Sequence, residues 1–397
     1  MSGPALLLLI TVLLAIAGVA EYALHKRSLA RIPIRVHVNG TRGKSSVTRL
    51  IAAALREAGV RTCAKTTGTL ARFILPDGRE LPIFRPSGPN IIEQKRIVRT
   101  AVAHGAEALI VECMALQPEL QSLCELELLR ATHAVITNAR PDHLDVMGPT
   151  DQDVARALAG ITPVNGKLFT TERTHLPVLR EAAADRQTTL IEVGSDAVAR
   201  VTTEELSRFA YTEHADNVAL ALAVCEELGI EREVALAGMW KTPPDPGALT
   251  EFRLDFFGRQ VVFVNAFAAN DPVSTRQLWD AASERHAGLG RKIAVFNCRA
   301  DRPDRSLQLG AEIAAWSPAD HIVLMGSGTY LFAQAAMKSG VDAGKLVFAE
   351  EVPVEELFEQ IVALVHDSAL VMGMGNIGGE GLPLSRYFRN RAHPSTA

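Results

Sequence analysis

The residues Gly40-Thr41-Arg42-Gly43-Lys44-Ser45-Ser46 combine the groups that hold a phosphate chain: glycines for close backbone approach, a lysine as a point charge, and hydroxyls able to ligate a cation. The run Ile34–Asn39 before them alternates in the manner of a strand. After them, Val47, Leu50, Ile51, Ala54 and Leu55 share one helical face, and Gly59 closes the helix. Strand, glycine-rich turn and helix predict a phosphate-binding unit in which backbone N–H groups and the positive helix end face the anion. Lys44 adds charge, and the Ser45 hydroxyl is placed to ligate Mg²⁺. The generic spacing G-x-x-x-x-G-K-[ST] would want glycine at Val38, so that pattern is only partly met.

Two more strand-like runs end in polar residues. Ala108-Leu109-Ile110-Val111 leads into Glu112-Cys113-Met114, and Ala134-Val135-Ile136-Thr137 leads into Asn138-Ala139-Arg140-Pro141-Asp142-His143-Leu144-Asp145. In an open α/β sheet the carboxyl ends of parallel strands lie on the ligand side. Glu112 and His143 are thus expected to hold metal near a γ-phosphate. Alone, Glu112 would be read as a helix cap or surface group, and His143 as a satisfied loop histidine; the conjunction with the loop favours the metal role.

These motifs resemble the Mur ligase superfamily. The Asn-Gly-Thr-Arg-Gly-Lys-Ser loop looks like its signature, Val111-Glu112 like its strand-end magnesium glutamate, and the 138–145 segment like its Asn…Asp-His-Leu-Asp. Glu213-His214-Ala215-Asp216-Asn217-Val218-Ala219 resembles the helix that carries a nucleotide-contacting asparagine, matched here by Asn217. The resemblance implies catalytic roles for Lys44, Glu112 and His143, and metal ligation by Ser45, Glu112 and His143. It implies ATP contacts from Gly40, Thr41, Arg42, Gly43, Lys44, Ser45, Ser46, Asn138 and Asn217, with ATP and Mg²⁺ as cofactors.

The phosphate loop follows the N-terminal segment with no room for the precursor-binding domain of muramoyl ligases. Folylpolyglutamate synthases share that absence, but they are not expected to begin with a membrane helix. An anchor joined to this loop is similar to the ligase subunit of bacterial poly-γ-glutamate synthases, as are the segments 85–91 and 145–150. One departure stands out. Many Mur relatives carry a carbamylated lysine downstream of His-Leu-Asp, whereas residues 146–166 contain no lysine and Lys167 sits at a strand start.

The elements that must position these groups are legible in outline. Residues 4–20 read PALLLLITVLLAIAGVA, near the lower length limit for a membrane span, with residues 22–24 as a possible extension. His25, Lys26, Arg27, Arg31 and Arg35 follow on one side only, so the positive-inside rule places the body in the cytoplasm. A cleaved signal peptide would open with a positive n-region, and none is present. The Pro-rich stretch 240–247 predicts an interdomain linker. Beyond it, strands near 261–265, 293–297, 321–326, 346–349 and 370–374 alternate with helices and predict a mainly parallel sheet. Gly326-Ser327-Gly328 lacks the third glycine of a dinucleotide loop and reads as a turn. The expected architecture is α/β: a transmembrane helix (1–27), a Mur-ligase-like P-loop ATPase domain (28–243) and a smaller Rossmann-like domain (247–397). By resemblance the last closes over ATP and brings the amino acid, through 265–271 and 297–302. Arg299, Arg302 and Arg305 are candidate carboxylate or phosphate binders, the glycines at 373–381 a mobile loop, and Arg386, Arg389 and Arg391 candidates for anionic lipid.

Composition narrows the class. A net charge of −4 and 5% aromatic residues give neither the basic footprint nor the stacking surface of a nucleic-acid binder. Five scattered cysteines match no zinc spacing and read as reduced thiols. The expected activity is ADP-forming amide synthesis that polymerises glutamate through its γ-carboxylate, in poly-γ-glutamate or capsule biosynthesis. Glutamate, the growing polymer and small integral membrane subunits are the partners implied by the resemblance, at the cell membrane. The alternatives are a folylpolyglutamate-synthase-like ligase adding single amino acids, and a membrane-tethered transport ATPase.

Overall fold

The computed structural model describes residues 3–68, 70–85, 88–244, 249–269 and 271–392. Pro86, Ser87, Asn270 and residues 245–248 of the expected linker lie outside the described residues. Contacts divide the chain into two units, Met1–Pro243 and Pro244–Ala397, each built on its own sheet.

The first unit holds β1 (Ile34–Asn39), β2 (Thr62–Thr66), β3 (Arg72–Ile74), β4 (Glu80–Pro82), β5 (Ala108–Glu112), β6 (His133–Ile136), β7 (Lys167–Thr170) and β8 (Thr189–Glu192). Their order is β4-β3-β2-β5-β1-β6-β7-β8. β3 runs antiparallel to both β2 and β4 at one edge, and every other pairing is parallel. β1 lies between β5 and β6, so the loops leaving all three strands open at one end of the sheet, where strand order reverses. The helix Lys44–Glu57 is alanine-rich, is buried from Val47 to Leu55, and packs on the sheet beneath the helices Ala215–Glu227 and Arg232–Trp240. Gly238 permits the closest approach: a Cβ there would sit 2.5 Å from the Ala53 carbonyl oxygen.

The alternation of β1 is not that of a half-solvated strand. Val36 and Val38 are buried on one face; on the other His37 and Asn39 are buried and Arg35 is half-buried, each matched to the helical segment that follows β5. Asn39 Nδ2 donates to Gln121 Oε1 (2.6 Å), His37 Nδ1 meets Glu125 Oε2 (2.8 Å), and Arg35 Nε donates to the carbonyls of Leu129 (3.2 Å) and Arg130 (3.0 Å). Two strand residues rise ~6.6 Å and four helical residues ~6 Å, so the two ladders stay in step.

The apolar helix runs from Gly3 to Ala30, well past the run that marks it in the sequence. An 18-residue window has mean hydropathy 2.5 and no burial, so the helix is long and apolar enough to cross a membrane. Its last turns belong to the folded body. His25 and Leu29 are buried, His25 Nε2 lies 2.9 Å from the Leu128 carbonyl oxygen, and Leu29 and Ile32 share a core with Ile97, Val98 and Val111.

The second unit holds β9 (Thr250–Phe256), β10 (Arg259–Asn265), β11 (Arg291–Cys298), β12 (His321–Gly326), β13 (Leu346–Glu350) and β14 (Ser368–Met374), ordered β13-β12-β11-β14-β10-β9. Only β9, which the sequence reading lacks, is antiparallel. Residues of β10 alternate between two cores, Val262 and Val264 on one face and Val261 and Phe263 on the other, as expected for a sheet covered on both sides. Gly326-Ser327-Gly328 is a turn into the helix Thr329–Lys338. The glycine-rich stretch after β14 is held rather than loose: Asn297 Nδ2 donates to the carbonyls of Asn376 (2.6 Å) and Gly378 (2.8 Å), and Asn376 Nδ2 donates back to Asn297 O (3.0 Å). The α/β class, with its smaller Rossmann-like sheet, matches the expectation.

Candidate nucleotide and metal site

The loop after β1 departs from ordinary backbone geometry at two glycines. Gly40 has φ 137° and Gly43 φ 83°. A Cβ at Gly40 would overlap Thr137 Oγ1, and one at Gly43 would lie 2.5 Å from Asn217 Oδ1. Gly43 caps the helix Lys44–Glu57 without a side-chain hydrogen bond, and the first turn holds no acidic residue. The helix N-terminus thus presents amide hydrogens and positive potential with no side-chain anion at its cap.

Lys44 folds back over this loop, its Nζ 2.6 Å from Gly40 O and 3.5 Å from Thr41 O. Ser45 Oγ donates to Glu112 Oε2 at 2.9 Å, and the same carboxylate oxygen accepts from Thr67 N at 2.7 Å. Lys44, Ser45 and Glu112 are therefore brought together, with Glu112 buried at the end of β5. One hydroxyl and one carboxylate form a donor set suited to a hard cation that takes its other ligands from phosphate and water. Among the described residues, no group of three or more His, Cys, Asp or Glu is arranged to hold a metal by itself.

Asn138 is bonded to the phosphate loop itself. Its Oδ1 accepts from Thr41 Oγ1 (2.6 Å) and Arg42 N (3.1 Å), and its Nδ2 donates to Arg42 O (3.2 Å). Thr137 Oγ1 also donates to Arg42 O (2.5 Å), and Thr41 Oγ1 accepts from Arg140 N (3.0 Å). The end of β6 thus braces Thr41 and Arg42 from outside. His143 sits farther along this segment at φ 47°. Its Nε2 is 3.9 Å from Asp142 Oδ1, and Asp142 Oδ2 is 3.8 Å from Arg42 Nη1, which ties the histidine's loop to the phosphate loop. Asn217 is buried against Gly43, with its Nδ2 donating to Glu213 Oε1 (2.8 Å). Ser46 is half-buried in the first helical turn.

Lys167 begins β7, at the amino end of the parallel strands, and is paired with Glu227. It therefore stands at the opposite end of the sheet from the phosphate loop. In the second unit, Arg299 is bound to Asp301 (2.9 and 2.7 Å), Arg305 to Asn376, and Arg391 stacks 3.5 Å over the Tyr387 ring. The reading from sequence quoted Thr137, Asp142 and Glu213 only as parts of motifs, without a role of their own, and did not name Thr67. Their signal is position: Thr137 and Thr67 follow strand ends, Glu213 lies one helical turn before Asn217, and Asp142 adjoins His143.

Residues 38–241 match the Mur ligase middle domain, and residues 252–391 match the poly-gamma-glutamate synthase CapB C-terminal domain. The chain is 39% identical over 381 residues to PGA synthase CapB of Bacillus subtilis (strain 168), covering 96% of each chain. It is 40% identical over 376 residues to the capsule biosynthesis protein CapB of Bacillus anthracis, covering 94% of this chain and 80% of that one. Among solved structures, it is similar to the bifunctional folylpolyglutamate synthase/dihydrofolate synthase of Yersinia pestis complexed with AMPPNP and Mn ion. That likeness has a TM-score of 0.68, 17% identity and 92% coverage of both chains, and it speaks to the fold.

Proposed function

The chain belongs to the poly-γ-glutamate synthase CapB family, within the Mur ligases, and from that premise we propose that it is an ATP-dependent, ADP-forming ligase that polymerises glutamate for a capsule-type polymer. The observation that carries this reading is the bond from Ser45 to Glu112 beside Lys44, at a helix N-terminus built around two positive-φ glycines. A carboxylate is a poor electrophile. Transfer of the γ-phosphoryl group of ATP to the γ-carboxylate of one glutamate yields an acyl phosphate, whose carbonyl the amine of the next glutamate attacks as phosphate leaves. Phosphoryl transfer depends on positioning and charge neutralisation more than on covalent help.

The backbone amides from Gly40 to Ser46 cradle the phosphate oxygens, and Lys44 swings from its own loop carbonyls to the transferred group. Ser45 and Glu112 hold a divalent cation, proposed as Mg²⁺, with His143 serving a second position. When bound, that ion neutralises phosphate charge and orients the oxygens. Thr137, Asn138 and Arg140 keep Thr41 and Arg42 in the geometry the cradle needs, and Asn217 faces the nucleotide side of Gly43. The second unit, from residue 247 on, carries the incoming amino acid. The helix Gly3–Ala30 anchors the enzyme in the cell membrane with its body in the cytoplasm, where small integral membrane subunits receive the polymer.

Membranes carrying the full chain, supplied with ATP, Mg²⁺ and labelled glutamate, should form ADP and long γ-linked polymer. Short adducts on a soluble acceptor would favour a single-addition ligase, and ATP hydrolysis indifferent to glutamate would favour a transport ATPase. Lys44→Ala should lower glutamate-dependent turnover at least ~10²-fold while leaving the melting temperature near wild type, because among the described residues the Lys44 ammonium bonds to carbonyls of its own loop. Unchanged turnover would defeat the assignment.

A further inference from the structure

The helix Glu93–Ala103 lies along the end of the apolar helix, and its contacts fix both direction and register. Lys95 Nζ pairs with Glu21 at 3.2 Å. Lys95 and, one turn further along, Arg99 both lie within charge range of His25. Beyond Lys95, Ile97, Val98 and Ala101 share a core with Leu29 and Ile32, which lie beyond Glu21. Earlier positions on one helix meet earlier positions on the other and later ones meet later ones, so the two helices run side by side in the same sense. The start of Glu93–Ala103 therefore points back along the apolar stretch. Ile92, three residues before Lys95, lies ~4.5 Å beyond the level of Glu21. That is the level of Gly18, inside the uncharged run 4–20.

At this level the body exposes what water disfavours. Ile92 is 59% exposed and Phe84 is 76% exposed. Phe84 is held there because Arg96 Nη2 donates to its carbonyl oxygen at 3.2 Å. Arg85, next to Phe84, makes two 2.7 Å bonds to Glu93, next to Ile92. Arg96 and Arg99 are exposed on the same helix, and Lys26 and Arg27 are exposed on the adjacent anchor. Apolar tips level with a membrane span and flanked by basic side chains suit the headgroup region of an anionic leaflet.

We infer that Phe84 and Ile92, with Lys26, Arg27, Arg96 and Arg99, form a second membrane contact that inserts into an anionic phospholipid bilayer and holds the ATPase body against it. The inference rests on reading Gly3–Ala30 as a membrane span. It is tested on the full chain in vesicles of phosphatidylglycerol and phosphatidylcholine whose acyl chains carry a bromine quencher. A thiol-reactive fluorophore is placed on a cysteine at position 84 or 92. Controls carry it at Leu13 in the apolar helix, and at Glu181, exposed on the helix Leu176–Asp185 toward the opposite edge of the sheet. The five native cysteines are buried and leave the added thiol as the reactive one.

Quenching is expected at 13, 84 and 92 but not at 181. Replacing phosphatidylglycerol by phosphatidylcholine should reduce it at least twofold at 84 and 92 and leave it unchanged at 13. Quenching at 13 alone would keep the anchor and overturn the second contact, as would equal quenching at 84 and 92 in both lipids. Absence of quenching at 13 would remove the anchor and the inference with it.

Discussion

Gly43 and Asn217 meet where the phosphate loop turns into its helix, and neither tolerates much change. A methyl group at Gly43 would need positive φ from an alanine and would press on Asn217 Oδ1 at 2.5 Å. Gly43→Ala is expected to cost about 1–2 kcal/mol of stability and to weaken ATP binding more than that, checked by thermal melts with and without nucleotide. Glu112→Gln keeps an oxygen for Ser45 and Thr67 and removes the charge. It should raise the divalent-cation concentration needed for half-maximal turnover by about tenfold or more with little change in melting temperature. Cation dependence equal to wild type would show that Glu112 does not face the metal. Lys44, Ser45 and Glu112 were legible in the sequence because a loop motif and a strand-end carboxylate each carry a local signal. The bonds of Asn138 to Thr41 and Arg42 were not legible, because they depend on the phosphate loop folding back on the end of β6.

The strands and helices that carry these groups are tied together from below by β1. An alternating sequence such as IRVHVN suggests one face in water, yet Arg35, His37 and Asn39 are consumed by the segment from Gln121 to Arg130, which ends in a π-helical turn over Cys124–Leu129. That partnership spans about ninety residues of sequence, so no local pattern announces it. The three-residue strands β3 and β4 were unreadable for the opposite reason: they are too short for a period to show. His37 offers a test at this scale. Burial alone would lower its pKa, but the neighbouring Cys113 and Cys124 side chains and the Glu125 carboxylate bonded to Nδ1 reverse the effect and hold it well above the ordinary value. A raised folded value stabilises fully below the unfolded pKa of about 6.5 and is lost as pH rises through the folded value. Urea unfolding should therefore show falling stability from pH 6 toward alkaline pH. His37→Gln should be less stable at pH 6, by about 3 kcal/mol because Glu125 loses its partner, and should depend less on pH above it.

At the scale of the whole chain, the apolar helix and the first unit are one continuous body. The sequence marks only the part of the helix that carries no charge, because composition changes after Ala20. The helix itself continues to Ala30, where His25 and Leu29 are buried by the segments that fold onto it. Alkaline carbonate extraction of cells should leave the intact chain in the membrane pellet with its N-terminus retained, whereas a soluble form beginning near residue 21 would refute the anchor. The residues between that helix and β1 are only Arg31, Ile32 and Pro33. From Ile34 to Gly40 the backbone can reach at most ~20 Å. On the proposed membrane anchoring, a polyanion made there would begin within about one bilayer thickness of the membrane surface. Elongation and export could then proceed at the same time on the same strand, and a long, highly charged chain need never accumulate free in the cell interior.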